Sequence, residues 1–308
     1  MITILMATYN GGKYLRAQLD SLLRQTEQRF TLIISDDGST DSTQKIIEEY
    51  CGNYPEKIFF KHNGEPHGAK YNFLQLMAQY KDDYVMLCDQ DDIWLDNKIE
   101  VTLHAMKKNE AKFNKTRPIL VHTDLTVVDE NLDLIAPSYK YLMNTDYNRT
   151  SLRHQIIQNT LTGCTAMYNR ALAETLKCFP NFCVMHDWWL MLTASSFGIV
   201  APLNESTILY RQHANNVMGA RDMRSLGYMI ERLLCDTEEI KKALRETYIQ
   251  ADSFLIEYQS VLSNEQKVFL KDYAAIPTKG KIGRMRKLSQ LGIKKTGFWR
   301  QIAHYLFV

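Results

Sequence analysis

Apolar and polar positions alternate in two rhythms along the first third of the chain. Short apolar runs, Ile2 to Ala7, Phe30 to Ser35, Lys57 to Lys61 and Tyr84 to Cys88, read as strands. Between them, Tyr14 to Thr26, Ser42 to Tyr50, Ala69 to Tyr80 and Asp96 to Lys108 repeat their apolar residues every three or four positions, as one face of a helix does. Strand, helix, strand in this order predicts βαβ units. Runs as apolar as ITILMA and YVMLC predict a parallel sheet covered on both faces, hence an α/β fold. Asp41 before STQKII and Asp96 before NKIEVTL have the position of helix caps.

Farther along, strand candidates (Ile119 to Thr123, Gly163 to Tyr168, Ser206 to Tyr210) mix with a helix beginning near His186. Beyond about Met223 the pattern is helical, through MIERLLCDTEEIKKAL and again after Asn264. NNVMGARD between the two regions weakens both helix and strand, so we expect a catalytic domain over residues 1–220 and a helical appendage over 221–308.

Composition narrows the class. At 308 residues and 45% hydrophobic content the chain can bury a large core. Its six cysteines contain no C-x-x-C pair and lie mostly in apolar stretches, which is the use expected of reduced thiols in the cytoplasm. MITILMA lacks the basic start of a secretory leader, and no window approaches the roughly 18–20 apolar residues of a membrane span. The chain is therefore expected to be neither secreted nor membrane-spanning. Its formal charge of +2 conceals a division: Thr278 to Val308 holds eight Lys or Arg and no acid, which leaves −6 on the residues before it.

In a parallel sheet, ligands bind beyond the carboxyl ends of the strands. Here those ends carry Thr8, Tyr9 and Asn10, then Asp36 and Asp37, then Asp89, Asp91 and Asp92. Three carboxylates within VMLCDQDDIW repel one another at neutral pH, and Mg²⁺ or Mn²⁺ is the cofactor that suits them. The plainer alternative is a helix N-terminus with solvated acids. SDDGSTDST has the composition of a βα turn, yet two adjacent carboxylates exceed what a turn needs and can accept from a base N–H or ribose hydroxyls. A G-x-G-x-x-G after the first strand and a P-loop lysine are both missing, so a nucleotide would be held by side chains.

The ordered set ILMATYNGGKYLRAQLDSLLRQT, LIISDDGSTDST, GAKYNF, DQDDIW, HTDL, TGCTAM, HDWW and YRQH resembles inverting family 2 glycosyltransferases of the GT-A fold, and in detail bacterial rhamnosyltransferases of surface-polysaccharide synthesis. The resemblance covers roughly residues 1–220. It implies a Rossmann-like mixed sheet flanked by helices, with Ala7, Thr8, Tyr9 and Asp37 lining the pyrimidine and ribose pocket. It implies Asp91 as metal ligand, Asp89 reaching the ribose or the ion's outer sphere, and Lys70 and Asn72 facing the diphosphate or donor sugar. A solvated helix face for Lys70 and a core position for Tyr9 are the alternatives.

HDWW occupies the family's catalytic-base position, usually Glu-Asp; with His186 in place of the Glu, Asp187 alone takes the role, partly desolvated by Trp188 and Trp189. Otherwise Asp187 only caps its helix. YRQH implies His213 as a further metal ligand or diphosphate contact and Arg211 as a phosphate clamp. Thr162, Gly163 and Cys164, with His122, Asp124 and Trp188, would form the acceptor side, unless Asp124 merely ends a strand. The sequence departs from the Q-x-x-R-W motif of processive enzymes, which implies one sugar per encounter.

By resemblance the donor is dTDP-β-L-rhamnose and the acceptor a lipid-linked or growing cell-wall glycan. A UDP-hexose donor on the same fold, and a noncatalytic nucleotide- or polysaccharide-binding assembly partner, stay open beside this reading. The basic tail KGKIGRMRKLSQLGIKKTGFWRQIAHYLFV lacks the interleaved stacking aromatics of a nucleic-acid binder. Its basic residues and aromatic tip fit peripheral attachment to the inner face of the plasma membrane, with a homodimer contact as the other use.

Overall fold

The computed structural model describes residues 1–63, 67–213 and 237–308. Its strands are β1 (Ile2–Thr8), β2 (Phe30–Asp36), β3 (Ile58–His62), β4 (Tyr84–Cys88), β5 (Ile93–Trp94), β6 (Ile119–Val128), β7 (Leu134–Ala136), β8 (Ala166–Asn169) and β9 (Ile199–Arg211). Its longer helices begin with α1 (Leu15–Leu23), α2 (Thr43–Asn53), α3 (Ala69–Gln79) and α4 (Lys98–Phe113). Four more follow in the middle of the chain: α5 (Tyr139–Leu142), α6 (Leu152–Gln155), α7 (Arg170–Thr175) and α8 (His186–Phe197). The last four are α9 (Thr237–Glu257), α10 (Asn264–Ala274), α11 (Lys281–Gln290) and α12 (Phe298–Phe307).

The strands form one mixed sheet in the order β3-β2-β1-β4-β8-β6-β9-β5, with β7 beside β6. The predicted parallel part is β3-β2-β1-β4; β8 then enters antiparallel to both β4 and β6, and β6 runs parallel to β9. Helices cover a core in which β1 and β4 are almost wholly buried, which explains their unbroken apolar runs. Pairing aligns Thr8 with Asp36 and Met6 with Cys88, so the polar residues after β1, β2 and β4 emerge along one rim.

Two compact units divide the chain. The first gathers Met1–Tyr139, Leu161–Cys178 and the described residues from Phe197 through the end of β9, and so contains the whole sheet. The second gathers Lys140–Thr160, Phe179–Ser196 and the described C-terminal helices. Its core is aromatic: Trp189 meets Phe254 edge-on at 5.1 Å, and Thr193 Oγ1 lies 3.1 Å from the Tyr258 hydroxyl. The backbone N–H groups of Phe182 and Val184 donate to Ser253 and Gln250 of α9 at 3.0 and 2.8 Å. Helix α8 thus belongs with the C-terminal helices, although its residues precede β9. The expected break at NNVMGARD and the boundary near residue 220 lie outside the described residues.

Three local expectations are corrected. Asp96 does not cap α4: Asn97 holds the cap position without a side-chain bond, while the Asp96 carbonyl accepts from Thr26 N–H at 2.8 Å and its carboxylate faces Arg24. The segment expected as a strand from Gly163 opens instead with a 3₁₀ turn, Gly163–Thr165, closed by Thr165 N–H donating to the Thr162 carbonyl. At α2 the cap position likewise belongs to the next residue, Ser42, without a side-chain cap bond, while Asp41 just before it accepts from Thr43 N–H at 2.9 Å. Cys88, Cys164, Cys178 and Cys183 are buried and outside any disulfide. Among the described residues no helix is long and apolar enough to cross a membrane.

Candidate active site

The rim is organised by the residues themselves before any ligand is considered. Gln90, the middle residue of D-Q-D, ties the ends of β1 and β4 together: Tyr9 N–H donates to its Oε1 at 2.9 Å, and its Nε2 donates to the Tyr9 carbonyl at 3.0 Å. This leaves the Tyr9 ring half-exposed at the surface, as a rim residue rather than a core one. Asn10, at φ 48°, turns the chain away and accepts from Thr40 N–H through its side chain. Ala7 stays within β1 opposite Ser35.

Asp36 and Asp37 divide their work. Asp36 is wholly buried and accepts from Thr8 Oγ1, Ser39 N–H, Ser39 Oγ and Gln44 Nε2, so it holds the first two strand ends in register. Asp37 receives the backbone N–H groups of His67 and Gly68 at 2.9 and 2.6 Å, at the start of α3. A carboxylate there satisfies amides that the helix leaves unpaired.

On α3, the Lys70 ammonium lies 4.7 Å over the exposed Tyr71 ring. Asn72 is turned inward instead, 1% exposed, donating to the Ser35 carbonyl at 2.8 Å and accepting from Asn63. The end of β2 leaves that carbonyl in need of a donor, which accounts for the inward Asn72 and contrasts with its expected place facing the donor sugar.

The D-Q-D-D carboxylates separate into two groups. Asp91 Oδ2 lies 2.9 Å from His213 Nε2, just past the end of β9. The imidazole stacks on Tyr14 with centroids 4.7 Å apart, and the Arg211 guanidinium lies 4.8 Å from the centroid of the same Tyr14 ring. Arg211 donates from Nε to the Asp91 carbonyl at 2.9 Å and from a terminal nitrogen to the Glu130 carbonyl at 2.6 Å. YRQH and DQDD are thereby joined across 120 residues of sequence.

Asp89, Asp92 and Cys164 form the second group, with ligand atoms all within 4.8 Å of one another. Asp92 is completely buried; its Oδ1 accepts from Arg211 N–H at 3.1 Å, and its Oδ2 has no hydrogen-bond partner among the described residues. Burial, then the charges of Asp91 and Asp89, pushes the Asp92 carboxyl well above the usual range. Behind it, Lys98 is fully buried with its ammonium 4.6 Å from the Trp94 ring, and burial lowers its pKa to about 8.

A divalent cation fits this donor set. The orphaned Asp92 oxygen and the crowded carboxylates need positive charge, and oxygen ligands suit Mg²⁺ and Mn²⁺.

The remaining expected residues lie elsewhere. Asp124 lies inside β6, where its register with β9 shifts, rather than at a strand end; it is nearly buried and accepts from Leu125 N–H and Ser138 Oγ. Thr162 and Gly163 lead into buried Cys164. Asp187 occupies the first turn of α8 in the second unit, and Trp188 Nε1 donates to the Gln155 carbonyl at 2.6 Å. Sequence reasoning missed Tyr14, Gln90, Lys98 and Glu130. Gln90 had a signal in its place between two aspartates; the other three look like ordinary helix or loop residues.

A mixed sheet of this order, with carboxylates gathered beyond the ends of β2 and β4, is a GT-A fold. The chain belongs to glycosyl transferase family 2, whose model matches residues 3–177. It is 30% identical over 230 residues to the dTDP-rhamnosyl transferase RfbG of Shigella flexneri, covering 70% of this chain and 74% of that protein. Among solved structures, S. aureus TarS 1-349 in complex with UDP-GlcNAc matches at TM-score 0.55 and 17% identity, over 94% of this chain and 80% of TarS 1-349. Mannosyltransferase PcManGT from Pyrobaculum calidifontis, in complex with GDP-Man and Mn²⁺, matches at TM-score 0.51 and 15% identity, over 94% and 74% of the two chains.

Proposed function

We propose that this glycosyltransferase moves L-rhamnose from dTDP-β-L-rhamnose to a hydroxyl of a lipid-linked or growing cell-wall glycan, one sugar per encounter and with inversion. One observation carries the donor assignment: the 30% identity to a relative named as a dTDP-rhamnosyl transferase. The acceptor assignment rests on the resemblance to surface-polysaccharide enzymes. A lipid-linked acceptor implies work at the inner face of the membrane.

In this reading Asp187 accepts the proton of the acceptor hydroxyl as its oxygen bonds to the anomeric carbon. The bond from that carbon to the diphosphate breaks, and dTDP leaves with the electron pair, turning a β-linked donor into an α-linked product. Asp91 and His213, with Asp89 and Asp92 beside them, would hold Mn²⁺ or Mg²⁺, which when bound offsets negative charge on the diphosphate. That the Mannosyltransferase PcManGT structure carries Mn²⁺ with its nucleotide-sugar supports this choice of ion. Arg211 orients Asp91 through the backbone and supplies fixed positive charge beside it. The Tyr9 ring, exposed at the rim, would stack on the base.

The test is release of nucleoside diphosphate from a panel of dTDP-rhamnose, UDP-glucose, UDP-galactose and UDP-N-acetylglucosamine. Turnover of dTDP-rhamnose above the others supports the assignment. Turnover of a UDP-sugar alone moves the donor while leaving the reaction class intact.

A further inference from the structure

We infer that α11 and α12 form an interfacial patch that seats the second unit on an anionic lipid surface. Surface helices ordinarily turn charged residues to water and apolar ones inward. Here α12 has Ala303 and His304 buried, yet its exposed side carries Phe298 at 72%, Trp299 at 38% and Leu306 at 53% exposure. At 100° per residue, Phe298, Trp299, Ile302 and Leu306 fall within a sector of about 100°, so these side chains make a continuous apolar stripe. On α11, Ile282 is 84% exposed beside Met285, with Lys281 and Arg286 at the surface next to them.

The charge around these side chains selects the partner. Thr278 to Val308 has eight basic residues and no acidic one, and among them Lys287 is already matched by Asp272 of α10 at 2.8 Å. A second copy meeting this surface across a two-fold axis would bring like charges together. A nucleic acid would take the basic residues but leave Ile282 and Leu306 facing phosphate. An anionic bilayer satisfies both halves, with aromatic and aliphatic side chains entering the headgroup boundary and Lys and Arg remaining among the phosphates. The purpose of the patch, bringing the enzyme to a lipid-linked acceptor, rests on the function proposed above; the patch itself rests on these side chains.

The experiment sediments the full chain with vesicles of phosphatidylcholine alone and with about one third phosphatidylglycerol, at low and high salt. Expected is binding at least about tenfold stronger to the anionic vesicles, weakened by salt. Phe298→Ser with Trp299→Ser should lower it by about tenfold or more. Lys281→Glu with Arg286→Glu, both on the surface of α11, should do the same without touching α12. Donor turnover on a soluble acceptor should stay unchanged in both variants, so loss of the transferase reading and loss of the membrane reading are separable. Equal sedimentation with neutral and anionic vesicles would overturn the proposal. So would a dimer, seen by light scattering, that the Phe298→Ser and Trp299→Ser changes dissociate while vesicle binding is absent.

Discussion

Asp91 and His213 meet at 2.9 Å with side chains only 16% and 8% exposed, although 122 positions separate them in the chain. The contact joins the end of β4 to the end of β9, on opposite sides of the antiparallel insertion of β8. Two consequences follow for the chemistry. The carboxylate is fixed in direction before any ligand arrives, and the imidazole is presented to the same point.

Removing the carboxylate charge should therefore act on metal-dependent donor binding. Asp91→Asn is expected to weaken binding of the nucleotide-sugar in Mn²⁺ by about 100-fold, and His213→Gln by about 10-fold to 100-fold. Calorimetric titration with and without Mn²⁺ reads both effects. Metal-dependent binding that survives Asp91→Asn would move the ion to Asp89, Asp92 and Cys164 alone.

Tyr14 underlies both His213 and Arg211, and its ring rather than its hydroxyl makes those contacts. Stacking and cation–π contact together are of order 1–2 kcal/mol, or about 5-fold to 30-fold in transition-state stabilisation. Tyr14→Ala should lower kcat/KM by that amount, whereas Tyr14→Phe, losing only a 3.5 Å contact to Glu130, should stay within about threefold. Equal losses in the two variants would mean that the hydroxyl matters and the platform does not.

If Asp187 is the base, Asp187→Asn keeps shape while removing the proton acceptor. Turnover should fall by about 10² to 10⁴, with calorimetric affinity for the donor unchanged. A variant that still transfers at the native rate excludes Asp187 from the chemistry.

Burial makes one pH effect predictable in sign. His122 lies wholly inside β6, and desolvation lowers its pKa to about 4, against a smaller opposing pull from the Thr123 backbone. Its unfolded value is about 6.5, so between pH 6.5 and 4 the unfolded chain takes up a proton that the folded chain refuses. Stability contributed by neutral His122 is full above pH 6.5 and declines toward pH 4, at up to about 1.4 kcal/mol per pH unit. Urea unfolding from pH 7 to 4.5 should show a shallower decline for His122→Asn than for the native protein. Parallel slopes would require His122 to be protonated in the fold.

Much of the sheet could be read from periodicity because β1, β2 and β4 are buried on both faces, and burial leaves an unbroken apolar run. Their carboxyl ends were legible for the same reason: Asp37 and Asp91 stand where a solvent-excluded strand stops. Asn72 was set toward the donor sugar by the family resemblance, and a shared motif does not tell which polar group of a helix answers a carbonyl in need of a donor. Lys98 was invisible, since a lysine in an amphipathic helix is ordinarily solvated and only packing against Trp94 puts it inside.

By itself the sequence determined local matters: where strands and helices run, which polar residues follow them, and the order of family motifs. These depend on neighbours within a few positions, where backbone geometry and side-chain period decide the outcome. Tertiary structure alone decided the pairing of Asp91 with His213, the platform under them at Tyr14, the inward turn of Asn72 and the membership of α8 in the second unit. Each is a contact between segments far apart in the chain, selected by which buried polar groups must find partners once the sheet has closed.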